Sequence, residues 1–339
     1  MVPPEPVASL SDERWRLCSY YYEYSYSPDD YQHTRVKYKS PALFVTYAIL
    51  GAAPFVGAVA GLPFFPPVLF AAFRIDVGAV LLLLIVVAKG GYWYPKTFTD
   101  IIGILVTGLL TLGGNIALVF VGQQYITSAT GSVVYSLAPL LTAAFAFFLL
   151  PAERLNKLGG VGIVLGFVGA AVVANPDLSN LLTATNRGVV LVLLSTTSFG
   201  LGNVVTQRLD PTLPSLTLTT WGLVVAAVFV HGVSALLGES VAHVEWTVRA
   251  VLSLLGVGVL GTALLYRVHF ELLTEIGATR TNLAYYVHPV STAIAGNLLL
   301  GEHITVFTVA GLVVIFVGFV LIEWQWVRAT MSRLIYESA

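Results

Sequence analysis

Two prolines at matching places in the chain stand among aromatic and polar residues, and these residues are the first candidates for contact with a ligand. Pro139 follows Tyr135 by four residues, and Pro289 follows Tyr285 by four. A proline inside a helix cannot donate to the carbonyl four residues earlier, so it kinks the helix and frees that carbonyl. We expect two kinks that aim these side chains at a cavity: Tyr135, Ser136, Tyr285, Tyr286 and His288. The alternative is that these side chains only pack between helices or bond a neighbouring one.

A single arginine lies deep in an apolar segment. Arg74 stands about eight residues inside a helix that begins near residue 66, or about 12 Å from its end. A charge at this depth is costly and normally faces a cavity or a partner. Arg74 either meets a carboxylate or phosphate of a ligand or is satisfied by backbone carbonyls. Asp76 points to another face of the same helix, and it is a candidate for proton coupling.

Three uncharged polar residues also lie in apolar segments: Asn115, Thr197 and Asn203. They either line a cavity as ligand-binding residues or form hydrogen bonds that hold helices together.

A charged group surrounds the turn between two later apolar segments. Its charged members are Arg267, Glu271, Glu275 and Arg280, and Tyr266 and His269 cluster with them. They form either a salt-bridge cluster that anchors the turn at the membrane interface or a gate whose ion pairs break and re-form.

These residues stand in a chain whose composition excludes a water-soluble globule. Of 339 residues, 57% are hydrophobic and only 10% are charged, and the mean hydropathy is +0.83. Soluble domains carry about 25% charged residues. We therefore expect an integral membrane protein with the lipid bilayer as its partner.

The sequence predicts neither a cofactor nor a metal site. Residues 256–261 read GVGVLG, which matches a dinucleotide-binding pattern, but they lie in an apolar helix rather than after a strand. We expect these glycines to allow close helix packing, as do Gly162 and Gly166. Cys18 is the single cysteine, which excludes an intramolecular disulfide and a cysteine-rich metal site. The net charge of −1 argues against a nucleic-acid partner.

The fold predicted from the hydropathy is all-α with about ten transmembrane helices. A helix needs about 20 apolar residues to cross the hydrocarbon core. Candidates lie near 42–61, 66–88, 101–121, 126–150, 159–174, 187–207, 216–237, 248–269, 276–300 and 305–323. Residues 1–40 form a polar, tyrosine-rich tail, and 324–339 form a second tail. With the N-terminus in the cytoplasm, almost all Lys and Arg residues of the connections fall inside, so both termini are predicted to be cytoplasmic.

The chain contains an internal repeat. Glu302 follows Glu153 by 149 residues, and Gly311 and Gly318 follow Gly162 and Gly169 by the same distance. The two prolines are 150 residues apart, so one residue has slipped. Each half holds five helices, an odd number, so the second half enters the membrane upside down. Inverted repeats are the architecture of many secondary transporters, whose substrate site lies where the halves meet.

The sequence resembles EamA-type members of the drug/metabolite transporter superfamily over about residues 42–323. The resemblance rests on FPPVLFAAFRID in the second helix and on the doubled pattern Pro139, Glu153, Gly162, Gly169 and Pro289, Glu302, Gly311, Gly318. It implies one repeat over 41–175, a second over 187–323, a central cavity, and movement of small metabolites, often outward. The first copy departs from the pattern by one extra residue before Glu153, in LLPAE against LLGE.

We therefore expect a multi-pass permease of the cytoplasmic membrane, and not an enzyme, that moves an amino acid or a related metabolite by alternating access. The sequence leaves open whether the protein forms a homodimer. The alternatives are a channel or a non-transporting scaffold. An intramembrane enzyme would need a catalytic motif, and neither H-E-x-x-H nor G-x-S-x-G occurs.

Overall fold

A computed structural model of the chain describes residues 39–150, 157–174, 183–322 and residue 324. The N-terminal tail up to residue 38, Glu153 and nearly all of the C-terminal tail lie outside the described residues. Within the described ranges the chain forms helices and loops and has no strand. The all-α prediction is therefore confirmed for this part of the chain.

Apart from the short 3-10 helix Val241–His243, the helices of the described residues fall into ten segments. In the first half they are α1 (Lys39–Leu50 and Ala53–Gly61), α2 (Pro67–Lys89), α3 (Phe98–Val106, Thr107–Gly114 and Asn115–Gly122), α4 (Ser128–Tyr135 and Ala138–Leu149) and α5 (Lys157–Ala174). In the second half they are α6 (Ala184–Leu209), α7 (Ser215–Leu236), α8 (Val248–Leu255, Gly256–Leu264 and Leu265–Ile276), α9 (Ala278–Asn282 and Ala284–Leu300) and α10 (Val306–Ile322).

Seven of these segments, namely α1, α2, α3, α4, α6, α7 and α8, are long and apolar enough to cross a membrane. The segments α5 and α10 are apolar but shorter, and α9 is interrupted at Leu283. Each predicted apolar run overlaps one of these segments, whereas a count of ten membrane-crossing helices stays a prediction.

The outer surface of the helices is apolar. Val228, Leu298 and Val306 are 73%, 76% and 82% exposed, and many other large aliphatic side chains share this surface. A soluble monomer rarely exposes apolar patches of more than a few hundred Å². In a bilayer these side chains face lipid, so this surface agrees with the membrane class.

The two halves pack by a pattern that is largely preserved when a helix is exchanged for its counterpart five helices away. The segment α1 packs on α8 and α9, and its counterpart α6 packs on α3 and α4. Likewise α2 packs on α8 and α7 packs on α3, while α2–α7, α4–α9 and α5–α10 join counterparts directly. The structure therefore has an approximate twofold relation between the halves.

The contact between α5 and α10 gives the direction of that relation. Gly162 meets Gly318, and Gly169 meets Gly311 and Ile315. Residue numbers rise along one helix as they fall along the other, so the two helices are antiparallel. Because Gly162 and Gly169 correspond to Gly311 and Gly318 in the repeat, the twofold relation exchanges one glycine contact with the other. Counterpart helices with opposite directions are what inverted repeats require.

Both halves carry a π-helical stretch at the same place. It spans Thr107–Gly114 in α3 and Gly256–Leu264 in α8, and the two starting residues are 149 apart. The second stretch contains the GVGVLG segment, where Gly258 contacts Val77 and Gly261 contacts Pro54. The expected packing role therefore holds for Gly258 and Gly261, whereas a Cβ on Gly256 would meet nothing within 4 Å.

The two prolines differ in their local structure. The helix α4 is interrupted at Ser136 and Leu137, directly before Pro139. In α9 the interruption lies at Leu283, and Pro289 stands inside the continuous helix Ala284–Leu300. The two breaks therefore do not fall at equivalent distances from the two prolines.

Candidate functional site

A cavity of about 460 Å³ lies between the two halves. Its lining residues include Phe55 of α1 and Arg74 of α2. It extends to the end of the molecule where α7 begins and where α8 turns into α9, and exposed Ser215 lines it there. We call this end the cavity end and the other the closed end. The volume falls within the range of small-molecule sites, about 300–1,000 Å³.

Aromatic rings follow one another around the cavity, and every one of them lines it. Centroids of successive rings are 5.0–6.5 Å apart, which is the spacing of interacting aromatic pairs. We call this set the ring chain, and in order of contact it contains Phe55, Tyr135, Phe199, Tyr285, His288, Tyr47, His269, Phe270 and Tyr266. Five helices contribute to it, so the ring chain depends on the assembly of both halves.

Arg74 lines the cavity and is held from one side by the π-helical stretch of α8. Its Nε donates to Thr262 Oγ1 at 2.9 Å, and its Nη2 donates to the Gly261 carbonyl at 3.0 Å. Thr262 donates in turn to the Val257 carbonyl at 2.9 Å. The guanidinium carbon lies 5.6 Å from the ring centroid of Phe120, within cation–π range. The guanidinium is therefore fixed in orientation while its third nitrogen, Nη1, makes no hydrogen bond among the described residues.

Asn115 is the centre of a polar network that joins three helices beside the cavity. Its amide nitrogen donates to the Thr111 carbonyl at 3.0 Å and to Tyr135 Oη at 3.1 Å, and its oxygen accepts from Ser195 Oγ at 2.7 Å. Asn115 and Tyr135 both line the cavity. Asn115 therefore both lines the cavity and joins neighbouring helices, so its two sequence interpretations do not exclude each other.

The structure brings seven of the predicted residues to the cavity lining. They are Arg74, Asn115, Tyr135, Pro139, Asn203, Tyr285 and His288. His288 lies against Gly51 and between the rings of Tyr47 and Tyr285.

Other predicted ligand-binding residues lie away from the cavity. Tyr286 points to another side of α9 than Tyr285 does, and its ring contacts Phe316 and Phe319 of α10. Ser136 and Thr197 donate to carbonyls of their own helices, of Val133 and Leu193. Pro289 does not line the cavity either.

The candidate for proton coupling also lies outside the cavity. Asp76 Oδ2 is 2.8 Å from His231 Nε2 of α7, and both side chains are 40% exposed on the outer surface of the helices. No motif or repeat in the sequence marked His231 as a partner of Asp76. This pair joins α2 to α7 where the two halves meet.

Two of the predicted gate residues form an ion pair within one helix, so this pair does not bridge the two halves. Arg267 Nη1 pairs with Glu271 Oε2 at 2.7 Å, four residues along the same helix. Separation of two helices leaves such a pair intact. Arg280 is exposed in the short helix Ala278–Asn282, and Glu275 is exposed near the end of α8. Whether the four residues form an interfacial cluster or a gate stays a prediction.

Two carboxylates that the sequence analysis did not treat as site residues hold the closed end together. Glu302 Oε1 accepts from the Ser128 backbone N–H at 2.8 Å, and Oε2 accepts from Ser128 Oγ at 2.6 Å. Glu239 accepts from the backbone N–H groups of Val68 and Leu69 at 3.2 and 2.6 Å. Each carboxylate lies at the N-terminal end of a helix, where free N–H groups and the helix dipole favour a negative charge.

A third carboxylate, Asp100, ties two loops at the cavity end. Its Oδ1 accepts from the backbone N–H groups of Thr212 and Leu213, and its Oδ2 accepts from Tyr92 Oη and from the backbone N–H groups of Lys96 and Thr97. Asp100 is fully buried. A capping-box pattern, Thr97 followed three residues later by Asp100, was the available sequence signal.

Comparison with known proteins finds a family model that matches both halves of the chain. A model of the EamA-like transporter family matches residues 39–175 and again 186–324. The uncharacterized transporter YoaV of Bacillus subtilis is 28% identical over 81% of this chain and 93% of its own length. A probable amino-acid metabolite efflux pump of Salmonella typhimurium is 24% identical over 83% of this chain and 93% of its own length.

A solved protein structure has the same fold. It superimposes with a TM-score of 0.60 at 17% identity, and the match covers 86% of this chain and 98% of the other. At this identity the likeness shows the fold alone.

Proposed function

This chain belongs to the EamA-like transporter family, and from that premise we propose that it carries a small organic metabolite across the membrane by alternating access. The observation that carries the proposal is the central cavity, which both halves line and whose described lining residues reach one end of the molecule and not the other. A carrier needs such a one-sided site, whereas an open channel needs a path to both ends.

The twofold relation between the halves supports the mechanism. In transporters with inverted repeats, the two halves exchange conformations and thereby move the opening from one side to the other. The antiparallel contact of α5 and α10 and the exchanged pattern of helix contacts are compatible with this motion. The closing contacts of Glu302 and Glu239 would open when the cavity end closes.

We further propose the cytoplasmic membrane as the location, with both termini in the cytoplasm. The distribution of Lys and Arg supports this orientation. The cavity end then faces the cytoplasm, and a solute loaded there would leave on the other side. Reporter fusions to residues 339 and 240 test the orientation, because they should report opposite sides of the membrane.

We propose amino acids and related metabolites as the substrate class. The Salmonella relative is named as an efflux pump for amino-acid metabolites, which supports this class and outward transport. The alternatives to a carrier are a channel, a membrane scaffold that transports nothing and, less favoured, an intramembrane enzyme.

Counterflow in proteoliposomes tests the function. Vesicles are loaded with a pool of unlabelled amino acids, their deaminated acids and related metabolites, and traces of labelled compounds are added outside. Saturable accumulation of one label above that of protein-free vesicles would support a carrier. Flux that neither saturates nor shows counterflow would support a channel, and absence of flux for all compounds would overturn the proposal.

A further inference from the structure

The cavity has an unbalanced charge. Among its described lining residues Arg74 is the only Arg or Lys, and none of them is Asp or Glu. The two ion pairs found among the described residues, Arg267–Glu271 and His231–Asp76, do not include Arg74. The cavity thus presents one permanent positive charge to whatever occupies it.

That charge is oriented but not neutralised. Arg74 is 6% exposed, and its partners are a hydroxyl and a carbonyl, which are uncharged. A buried cation without a counter-ion is costly, and an oxyanion that reaches it recovers much of that cost. The planar guanidinium forms paired hydrogen bonds with carboxylate or phosphate oxygens, and among the described residues Nη1 has no partner that competes with them.

The rest of the cavity suits a flat apolar body. The ring chain runs along the cavity wall from Phe55 to Tyr266. The aliphatic residues Leu112, Ile116 and Val119 of α3 also line the cavity. Aromatic rings bind planar apolar groups by offset stacking and edge contacts. The same wall offers an ammonium group no carboxylate partner.

The geometry points to an organic anion with a flat, apolar body, and not to a zwitterionic amino acid, as the substrate that the cavity selects. This inference rests on the proposed transport function and narrows its substrate class. The oxyanion would lie against Arg74, and the apolar body would lie along the ring chain. Carboxylate and phosphate share the chemistry that Arg74 recognises, so both head groups belong in the test.

The experiment compares probes that share one phenylalkyl body and differ in charge. Isothermal titration of the purified full-length protein in detergent measures binding of 3-phenylpropionate, 3-phenyl-1-propanol, phenylalanine and 2-phenylethylamine, with phenyl phosphate as the alternative anion. We expect 3-phenylpropionate or phenyl phosphate to bind at least about tenfold more tightly than the alcohol, a difference that one charge-assisted contact provides. We expect phenylalanine and 2-phenylethylamine to bind more weakly than the anion.

Variants assign the preference to Arg74. Arg74→Gln should reduce anion affinity to that of the alcohol while the affinity for the alcohol stays the same, which also reports that the variant is folded. Arg74→Lys keeps the charge and should retain part of the preference. Arg249→Gln, which removes an exposed cation outside the cavity, is the matched control and should behave as the wild type.

Three kinds of result would overturn the inference. One is binding of phenylalanine or 2-phenylethylamine as tight as that of the anion, and another is an anion preference that persists in Arg74→Gln. The third is failure of both anions to bind. Saturable counterflow of a neutral or zwitterionic compound would then keep the transport function and reject only the anion, so the two failures are distinguishable.

Discussion

A Cβ atom built on Gly318 would lie 2.5 Å from the carbonyl oxygen of Gly162, so the backbones of α5 and α10 touch without side chains between them. Small residues are what allow membrane helices to approach this closely. The contact lies between counterpart helices of the two halves, and its partner contact, between Gly169 and Gly311, is related to it by the repeat.

The glycine contact should be sensitive to a single methyl group. We expect Gly162→Ala to lower the free energy of unfolding by about 1–3 kcal/mol, because the helices must move apart to accept it. The matched control is Gly160→Ala, two residues away on the same helix, where a Cβ meets nothing within 4 Å. Thermal unfolding of both variants in detergent measures the difference, and equal stability would contradict the close contact.

The carboxylate of Asp100 should be required in its charged form. In Asp100→Asn the amide NH₂ faces N–H donors in either orientation, because both carboxylate oxygens accept from backbone N–H groups. We expect a loss on the order of 3 kcal/mol of unfolding free energy. Tyr92→Phe removes a single donor and should cost about 1 kcal/mol. A chemical denaturation series ranks the two variants, and the reverse order would contradict this assignment.

Phe199 of the ring chain should contribute to substrate affinity. Phe199 lies between Tyr135 and Tyr285, with centroid distances of 5.7 and 6.3 Å. We expect Phe199→Leu to weaken binding of the transported solute about fivefold, through the loss of about 1 kcal/mol of aromatic contact. Phe148→Leu, at a ring that is 78% exposed on the outer surface, is the control. Saturation curves from counterflow measure both variants, and an unchanged half-saturation concentration in Phe199→Leu would place the solute elsewhere.

The bond between Glu302 and Ser128 should hold the closed end shut. We expect Glu302→Gln to raise the population that is open at this end about tenfold, because it weakens two charge-assisted hydrogen bonds. Gln123 is 3% exposed near this end, so a Gln123→Cys reporter in a Cys18→Ser background measures opening by its reaction rate with a maleimide.

The control for this experiment is Glu245→Gln, which alters an exposed acid among the residues between α7 and α8. It should leave the reporter rate unchanged. If Glu302→Gln also leaves that rate unchanged, Glu302 does not hold the closed end shut.

The elements and the repeat could be predicted because their signals are local or periodic. Apolar runs placed the ten segments in order, and scarce residues such as Glu302 and paired glycines such as Gly311 and Gly318 made the repeat visible. Family membership, inferred from the same residues, is confirmed by the match to both halves.

The side chains that meet in the cavity were harder to predict because helix rotation decides them. Tyr285 and Tyr286 are adjacent and point about 100° apart on a helix. In α9, packed on several neighbours, apolar residues occupy all faces and no periodicity tells which tyrosine faces inward. The structure shows Tyr285 in the ring chain and Tyr286 against α10. The partners of Arg74 lie nearly 190 positions away, so only the folded chain reveals Thr262.

The paired π-helical stretches bear on the history of the chain. Thr107–Gly114 reads TGLLTLGG, and the residues 149 positions later read GVGVLGTA, with no identity at any aligned position. Both sequences nevertheless adopt the same widened helix. A single ancestral half that already contained this stretch accounts for both copies, whereas two later insertions would have had to occur at the same place. Backbone geometry has thus outlasted the residues that first produced it.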